Sequence, residues 1–392
     1  MTNRRRFLKK AGLISAAVPS FLTQTLLRAD EHRDDDGRIL VIIQLSGGND
    51  GLNTVIPFSQ DIYREKRPAI AVPKSRAIEI DDEVALHGSM SAASDLLQDG
   101  RLSIVQSVGY PNSDRSHFRS MAIWHTAGEG GEELPETGWA GRALDETAVG
   151  GTDGVFIGYD DLPRALRGRR ASVSSLPPGK KLELKTSIRP HEPLLSSDDH
   201  TPIGTFVQRH VVDAYKTLQQ LEQPAKASAI SYPQSELGSS LRSVAQFIGI
   251  ESSARVYYAV QPGYDTHESQ PRTHGQLLSD FSRSLKAFLD DLKAMKLEDR
   301  VAVMAFSEFG RRVSENGSAG TDHGTAGPVF VAGSHVSQSL IGKAPDLSDL
   351  DGDDLKVKID YRRVYAAMLD DWLGIPSASV LGNDFEPLPV FG

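Results

Sequence analysis

Short, unbroken apolar runs alternate along this chain with longer stretches whose apolar residues recur at helical spacing. Residues 38–45, 102–108, 155–158, 254–260, 301–306 and 329–332 are apolar through their centres, as expected of strands buried on both faces of a parallel sheet. Between and after them, residues 89–97, the stretch after Ser116, that opened by 137–142, and residues 234–250, 270–295 and 361–373 carry helical periodicity. The longest shows Leu277, Leu278, Phe281, Leu285, Phe288, Leu289 and Leu292 on one stripe. The last shows Tyr365, Met368, Leu369 and Trp372 on one face. This alternation predicts an α/β/α sandwich around a largely parallel central sheet. Residues 54–85, broken by prolines and charges, read as an irregular lid. Residues 161–235, with a helical stretch from 203 to 221, read as an inserted cap region where substrate specificity would reside. His191, His200 and His210 within it read as surface residues.

The amino terminus changes the picture. Asn3-Arg4-Arg5-Arg6-Phe7-Leu8-Lys9 resembles a twin-arginine export signal, followed by a moderately apolar stretch that Pro19 interrupts. It is too short and too polar for a comfortable membrane span and reads as a removable signal over residues 1–29. Residues 30–37 form a charged linker, and 38–392 one folded domain. The expected partner is the twin-arginine translocation machinery, and the expected location is the periplasm or the exterior. That route exports folded proteins, which suits a metal loaded before export.

Composition narrows the chemistry further. The 392 residues include 39% hydrophobic and 24% charged positions, ordinary for a soluble globular chain. A net charge of −9 and the lack of a basic, aromatic-interleaved stripe exclude a phosphate-backbone binder, so no nucleic-acid partner is expected. With no cysteine there is no disulfide, thiolate metal site or cysteine nucleophile.

Polar residues gather where the apolar runs end, the place where open α/β sheets bind ligands. The first run empties into Ser46-Gly47-Gly48-Asn49-Asp50, making Asp50 a metal-ligand candidate or the Asp of a turn. Ser116, beside His117 and Arg119, is either a helix N-cap or a nucleophile favoured by the helix dipole. Asp265 and His267, two apart in an extended segment, point the same way and suit Zn²⁺ or Mn²⁺. Glu308 follows run 301–306 directly, and Asp322 and His323 precede run 329–332.

Taken together these residues resemble the alkaline phosphatase superfamily. More closely, the chain resembles the exported, sulfatase-neighbouring family called domain of unknown function 1501. The resemblance rests on L-S-G-G-N-D-G-L-N at 45–53, V-G-Y-P at 108–111 and S-H-F at 116–118. T-G-W-A-G-R at 137–142, G-Y-D-T-H at 263–267, S-E-F-G-R-R at 307–312 and G-T-D-H-G at 320–324 complete it. It implies an alkaline-phosphatase-like fold binding one or two divalent ions, Zn²⁺ or Mn²⁺. Metal ligands would come from Asp50, Asp265, His267, Glu308, Asp322 and His323. Ser116 would be the nucleophile, with His117 beside it and Arg119 or Arg311 holding an anionic ester. Asp322 and His323 could instead serve as the paired ligands, leaving Glu308 structural. Sulfatases of the usual kind need C/S-x-P-x-R, and Phe118 stands where that motif has Pro. The reaction implied is therefore hydrolysis of phosphate or sulfate esters by a Ser alkoxide or a metal-bound hydroxide. The rival is a non-catalytic, metal-stabilised binding protein of the same fold.

A receptor reads the twin-arginine motif, so replacing Arg4 and Arg5 by Lys should abolish export despite unchanged charge. Cell fractionation checks this; normal accumulation of the variant outside the cytoplasm would refute it.

Overall fold

In the computed structural model, residues 37–131, 133–148, 152–179, 229–250 and 252–392 are described. The signal segment, the linker up to residue 36, the helical stretch at 203–221 and His191, His200 and His210 lie outside the described residues. All seven residues of β1 (Ile39–Leu45) are buried, which requires neighbouring strands on both edges and cover on both faces. In chain order the same sheet contains β2 (Leu102–Gly109), β3 (Gly154–Ile157), β4 (Val173–Leu176), β5 (Val256–Gln261) and β6 (Val301–Phe306). It continues with β7 (Gly327–Ala332), β8 (Leu340–Ile341) and β9 (Ile359–Asp360). Among the described residues the order is β8-β2-β7-β6-β1-β5-β3-β4, with β9 also paired to β2.

β1 pairs in parallel with β5 and β6, so Gln44 lies beside both Val260 and Phe306. β7 runs antiparallel to its neighbours β2 and β6; the other pairings in this sheet are parallel. Strand direction decides where the functional loops meet. The carboxyl ends of β1, β2, β5 and β6 reach one edge of the sheet. Because β7 is reversed, the chain entering it, which carries Asp322 and His323, arrives at that same edge.

Alternate residues of the strands face opposite cores, as a pleated strand requires. Leu40 and Ile42 pack with α2 (His117–Thr126), α3 (Trp139–Thr147) and α6 (Tyr361–Ala366). Ile39, Val41 and Ile43 pack with α1 (Ser91–Gln98), α4 (Glu236–Gly249) and α5 (Gln270–Met295). This is the expected α/β/α sandwich. On one side Trp124 stacks on Phe306 at 4.9 Å and Trp139 on Tyr365 at 4.1 Å. Past Ala366 the terminal helix widens into a π turn over Ala367–Leu373. Its expected inner face (Tyr365, Met368, Leu369 and Trp372) is buried.

Two regions hold more order than their composition suggests. The expected lid contains short strands, Val55–Ile56, Ala77–Glu79 and Ala85–His87, joined in a small antiparallel sheet. Within the expected cap region, β4 extends the central sheet from β3. Such segments of two to four residues are too short to display a period of two. No helix among the described residues is long and apolar enough to cross a membrane.

Two histidines are sealed in this frame. His125 Nε2 lies 3.0 Å from both Gln44 Oε1 and the Tyr258 hydroxyl, and burial brings its pKa down to about 3. His274 Nε2 lies 3.0 Å from Asn49 Oδ1, and burial brings its pKa down to about 4. A folded state that refuses protons the unfolded chain accepts loses stability as pH falls. This contribution is complete above about pH 6.5 and declines towards pH 4, by on the order of 3 kcal/mol for His274 alone. Urea titrations between pH 4 and 6.5 should show that decline, and His274→Gln should remove about half of it, leaving the part due to His125; parallel curves for the two proteins would contradict the assignment.

Candidate metal centre

The turn after β1 brings the site's parts together. Gly47 and Gly48 have φ of +119° and +72°, a region that favours glycine. Neither has room for a side chain: a Cβ on Gly47 would strike the Asp265 backbone nitrogen, and one on Gly48 the ring of Phe309. Arg311, 1% exposed, is buried against this turn. Its Nε donates to Gly48 O at 2.7 Å and its Nη1 to Thr321 O at 2.7 Å. Nη2 donates to Gly47 O, to Tyr264 O at 3.1 Å and to Asp265 Oδ1 at 2.7 Å.

Asp265 Oδ1 is the point on which three imidazoles converge. His267 Nε2 lies 3.1 Å from it, His323 Nε2 3.2 Å and His117 Nε2 3.4 Å. His267 Nε2 and His323 Nε2 are 2.9 Å apart. Ligand atoms of His117, Asp265 and His323 all lie within 4.8 Å of one another. Behind each ring an oxygen holds the other nitrogen. His117 Nδ1 sits 2.8 Å from Glu308 Oε1, His323 Nδ1 2.7 Å from Arg115 O, and His267 Nδ1 3.3 Å from Asp322 Oδ1. Oxygens of this kind fix the tautomer with the proton on Nδ1 and leave the Nε2 lone pair facing inward, the usual support for a metal-bound histidine. His117 Nε2 is buried and has no hydrogen-bond partner.

These donors fit a divalent cation. Ligand atoms set tetrahedrally around Zn²⁺ lie ~3.3 Å apart, close to the distances of the three Nε2 atoms from Asp265 Oδ1, and His117, Asp265 and His323 form the group compact enough to hold one ion. Protons would fit less well. Burial lowers the pKa of His323, and Arg311 and His117 add to that against the pull of Arg115 O and Asp265. Burial would raise the pKa of Asp265, but Arg311 and His323 bring it to about 2, so it is ionised. His117 differs: its hydrogen bond to Glu308 outweighs burial and raises its pKa.

Of the residues singled out in the sequence, the structure assembles Asp265, His267, Asp322, His323, Glu308, His117 and Arg311. Glu308 is 1% exposed and stands behind His117, accepting also from Gly47 N at 2.9 Å and Ser307 Oγ at 3.0 Å. Asp322 likewise stands behind His267. Asp50 does not join them. It caps the one-turn helix Gly51–Thr54, and its Oδ2 accepts from Arg67 Nη1 at 2.7 Å and from Gln270 Nε2. Burial would raise its pKa, but Arg67 outweighs this and lowers it. Ser116 is the N-cap of α2, its Oγ 3.5 Å from Arg119 N, and Arg119 Nη2 reaches Gly130 O. What the sequence did not reveal is that the His117 ring belongs to the imidazole cluster around Asp265. Its place after the second strand, where the other clusters also lie, was the available signal.

A family model described as "Protein of unknown function (DUF1501)" matches residues 38–379. The chain belongs to that family. No curated protein matches this DUF1501 chain. Among solved structures, a protein in the alkaline phosphatase superfamily from Vibrio parahaemolyticus aligns at TM-score 0.40 and 8% identity, over 89% of this chain and 67% of that one. The PsFucS1 sulfatase from Pseudoalteromonas sp. aligns at TM-score 0.38 and 10% identity, over 95% and 74%. The C-terminal periplasmic domain of EcEptC from Escherichia coli, in complex with Zn, aligns at TM-score 0.39 and 8% identity, over 76% and 75%. At such scores nothing about this member's reaction follows from them.

Arg311→Met would leave the carbonyls of Gly47, Gly48 and Thr321 without the guanidinium donor and remove the cation beside Asp265. Urea denaturation should show a loss of about 3 kcal/mol or more, at about 1–3 kcal/mol for each buried acceptor left unsatisfied; a loss under about 1 kcal/mol would show the guanidinium to be dispensable.

Proposed function

We propose that this protein is an exported, divalent-metal-dependent hydrolase of phosphate or sulfate esters. The carrying observation is the buried, unpartnered Nε2 of His117 aimed at Asp265 Oδ1, beside two further Nε2 atoms 2.9 Å apart. Two neutral imidazoles with Nδ1 protonated would meet lone pair to lone pair at that distance, a repulsion that a cation removes. His117, Asp265, His267 and His323 are the assigned ligands, and Zn²⁺ or Mn²⁺ suits their nitrogen-rich set. A bound ion of this kind supplies Lewis acidity towards an ester oxygen and lowers the pKa of coordinated water.

The chain's own groups do the rest. Glu308, Asp322 and the Arg115 carbonyl hold the three rings in orientation. Arg311 fixes Asp265 and keeps it ionised. Arg311, all three of whose guanidinium nitrogens are engaged, acts through Asp265, and Arg119, half-buried in the first turn of α2, is the arginine assigned to the anionic substrate. Ser116 is the assigned nucleophile. It is exposed next to His117, and its 3.5 Å cap bond is long enough to surrender at little cost. The amino-terminal twin-arginine motif supports export.

Metal analysis of the exported protein, with an activity screen on phosphate and sulfate esters, tests this reading. Wild type should carry divalent metal, and His323→Ala and His117→Ala should each lower it sharply. Added Zn²⁺ or Mn²⁺ should raise the Tm of wild type by several degrees and leave the variants nearly unchanged. Metal at background level in wild type, with stability indifferent to chelators, would favour a non-catalytic binding protein.

A further inference from the structure

The face of α2 that carries His117 lines an open cavity of about 300 Å³, whose wall also includes Glu308 and Ser46. His117, Met121 and His125 are spaced i, i+4, i+8, and Phe118 and Ala122 form the adjoining row, so one helix face joins the metal group to the cavity lining. The lining from this helix is mostly apolar. Arg164 also lines it, its Nη2 donating to Leu134 O at 3.2 Å and to Pro135 O. The Phe118 ring, part of this lining, is 91% exposed, and among the described residues Tyr159 is the other large exposed hydrophobic side chain, at 64%. An isolated exposed ring is ordinary on a protein surface. This one borders a cavity that shares a wall with an assigned metal ligand.

We propose that the cavity seats a ring, aryl or sugar, on the non-reacting side of the ester, with the face of that ring against Phe118. The inference rests on the hydrolase reading above and makes Phe118 a specificity-determining residue. A volume of about 300 Å³ lies at the small end of ligand sites, enough for one ring beside the anionic head and too little for an extended chain. An aromatic platform favours the flat face of a ring over a short aliphatic group, by about 3- to 10-fold in affinity. Methyl or glyceryl esters would leave the platform uncovered.

Phenylphosphonate and methylphosphonate share the anionic head and differ in the ring, and neither can be hydrolysed at its carbon–phosphorus bond. Isothermal titration of each into the Zn²⁺-loaded full chain reads binding without turnover. Phenylphosphonate should bind about 3- to 10-fold more tightly. Phe118→Ala, a change at an exposed position that leaves the fold intact, should erase that preference while methylphosphonate affinity stays unchanged. Equal affinity for the two in wild type, or a preference that survives Phe118→Ala, overturns the ring site and leaves the hydrolase reading standing. A chain that takes up neither Zn²⁺ nor Mn²⁺, or a metal-loaded chain that binds neither phosphonate, overturns both.

Discussion

The guanidinium of Arg311 is the one interaction on which the architecture of the site depends. A charge with 1% of its residue exposed is tolerated only where every donor finds an acceptor. Arg311 finds them on segments far apart in sequence: the turn after β1, the loop after β5, and the loop before β7. A lysine could not replace it, because a single ammonium lacks the planar fork that reaches acceptors in several directions at once. Gly47 and Gly48 complete the arrangement, since any side chain there would displace Asp265 or Phe309. The apolar strands bring these loops to one edge of the sheet, and Arg311 sets their spacing.

A second buried ion pair uses the same physics to a different end. Arg67 and Asp50 are both fully enclosed, and Arg67 also donates to Val313 O at 2.8 Å and to Arg312 O at 2.8 Å. That pair locks the 54–85 segment over the sheet edge and has no open face. Asp265 keeps 49% of its side chain exposed while Arg311 neutralises it from within. One carboxylate is closed in and structural; the other is charged, oriented and accessible. Exposure and the direction of approach separate their roles, since both are aspartates paired with a buried arginine.

Much of the fold was legible in the residues. The run 301–306 and the amphipathic helix 270–295 coincide with β6 and α5, because long, unambiguous patterns dominate local choices. β4 and the strands of the small sheet were not legible, for they are too short to show periodicity and are held by tertiary pairing. Site residues could be located but not sorted. Asp265, His267, Glu308, Asp322 and His323 stood out as acidic or imidazole groups at the ends of apolar runs. Which of them turns inward, and which stands behind a ring, had no local signature.

What the sequence determined by itself is a set of apolar runs that must be buried, the helices that cover them, and polar clusters placed where those runs end. It also determined the family, because the glycine, histidine and carboxylate motifs are contiguous in the chain. Only the tertiary structure decided that β7 runs against its neighbours, which delivers His323 to Asp265 at 3.2 Å. It likewise joined His117 to the imidazole cluster around Asp265 and kept Asp50 out of it. The physical reason is that which ring faces inward depends on lone-pair direction. That direction is set by the oxygen behind each imidazole and the cation beside each carboxylate, partners such as Glu308 for His117, 191 positions away in the chain.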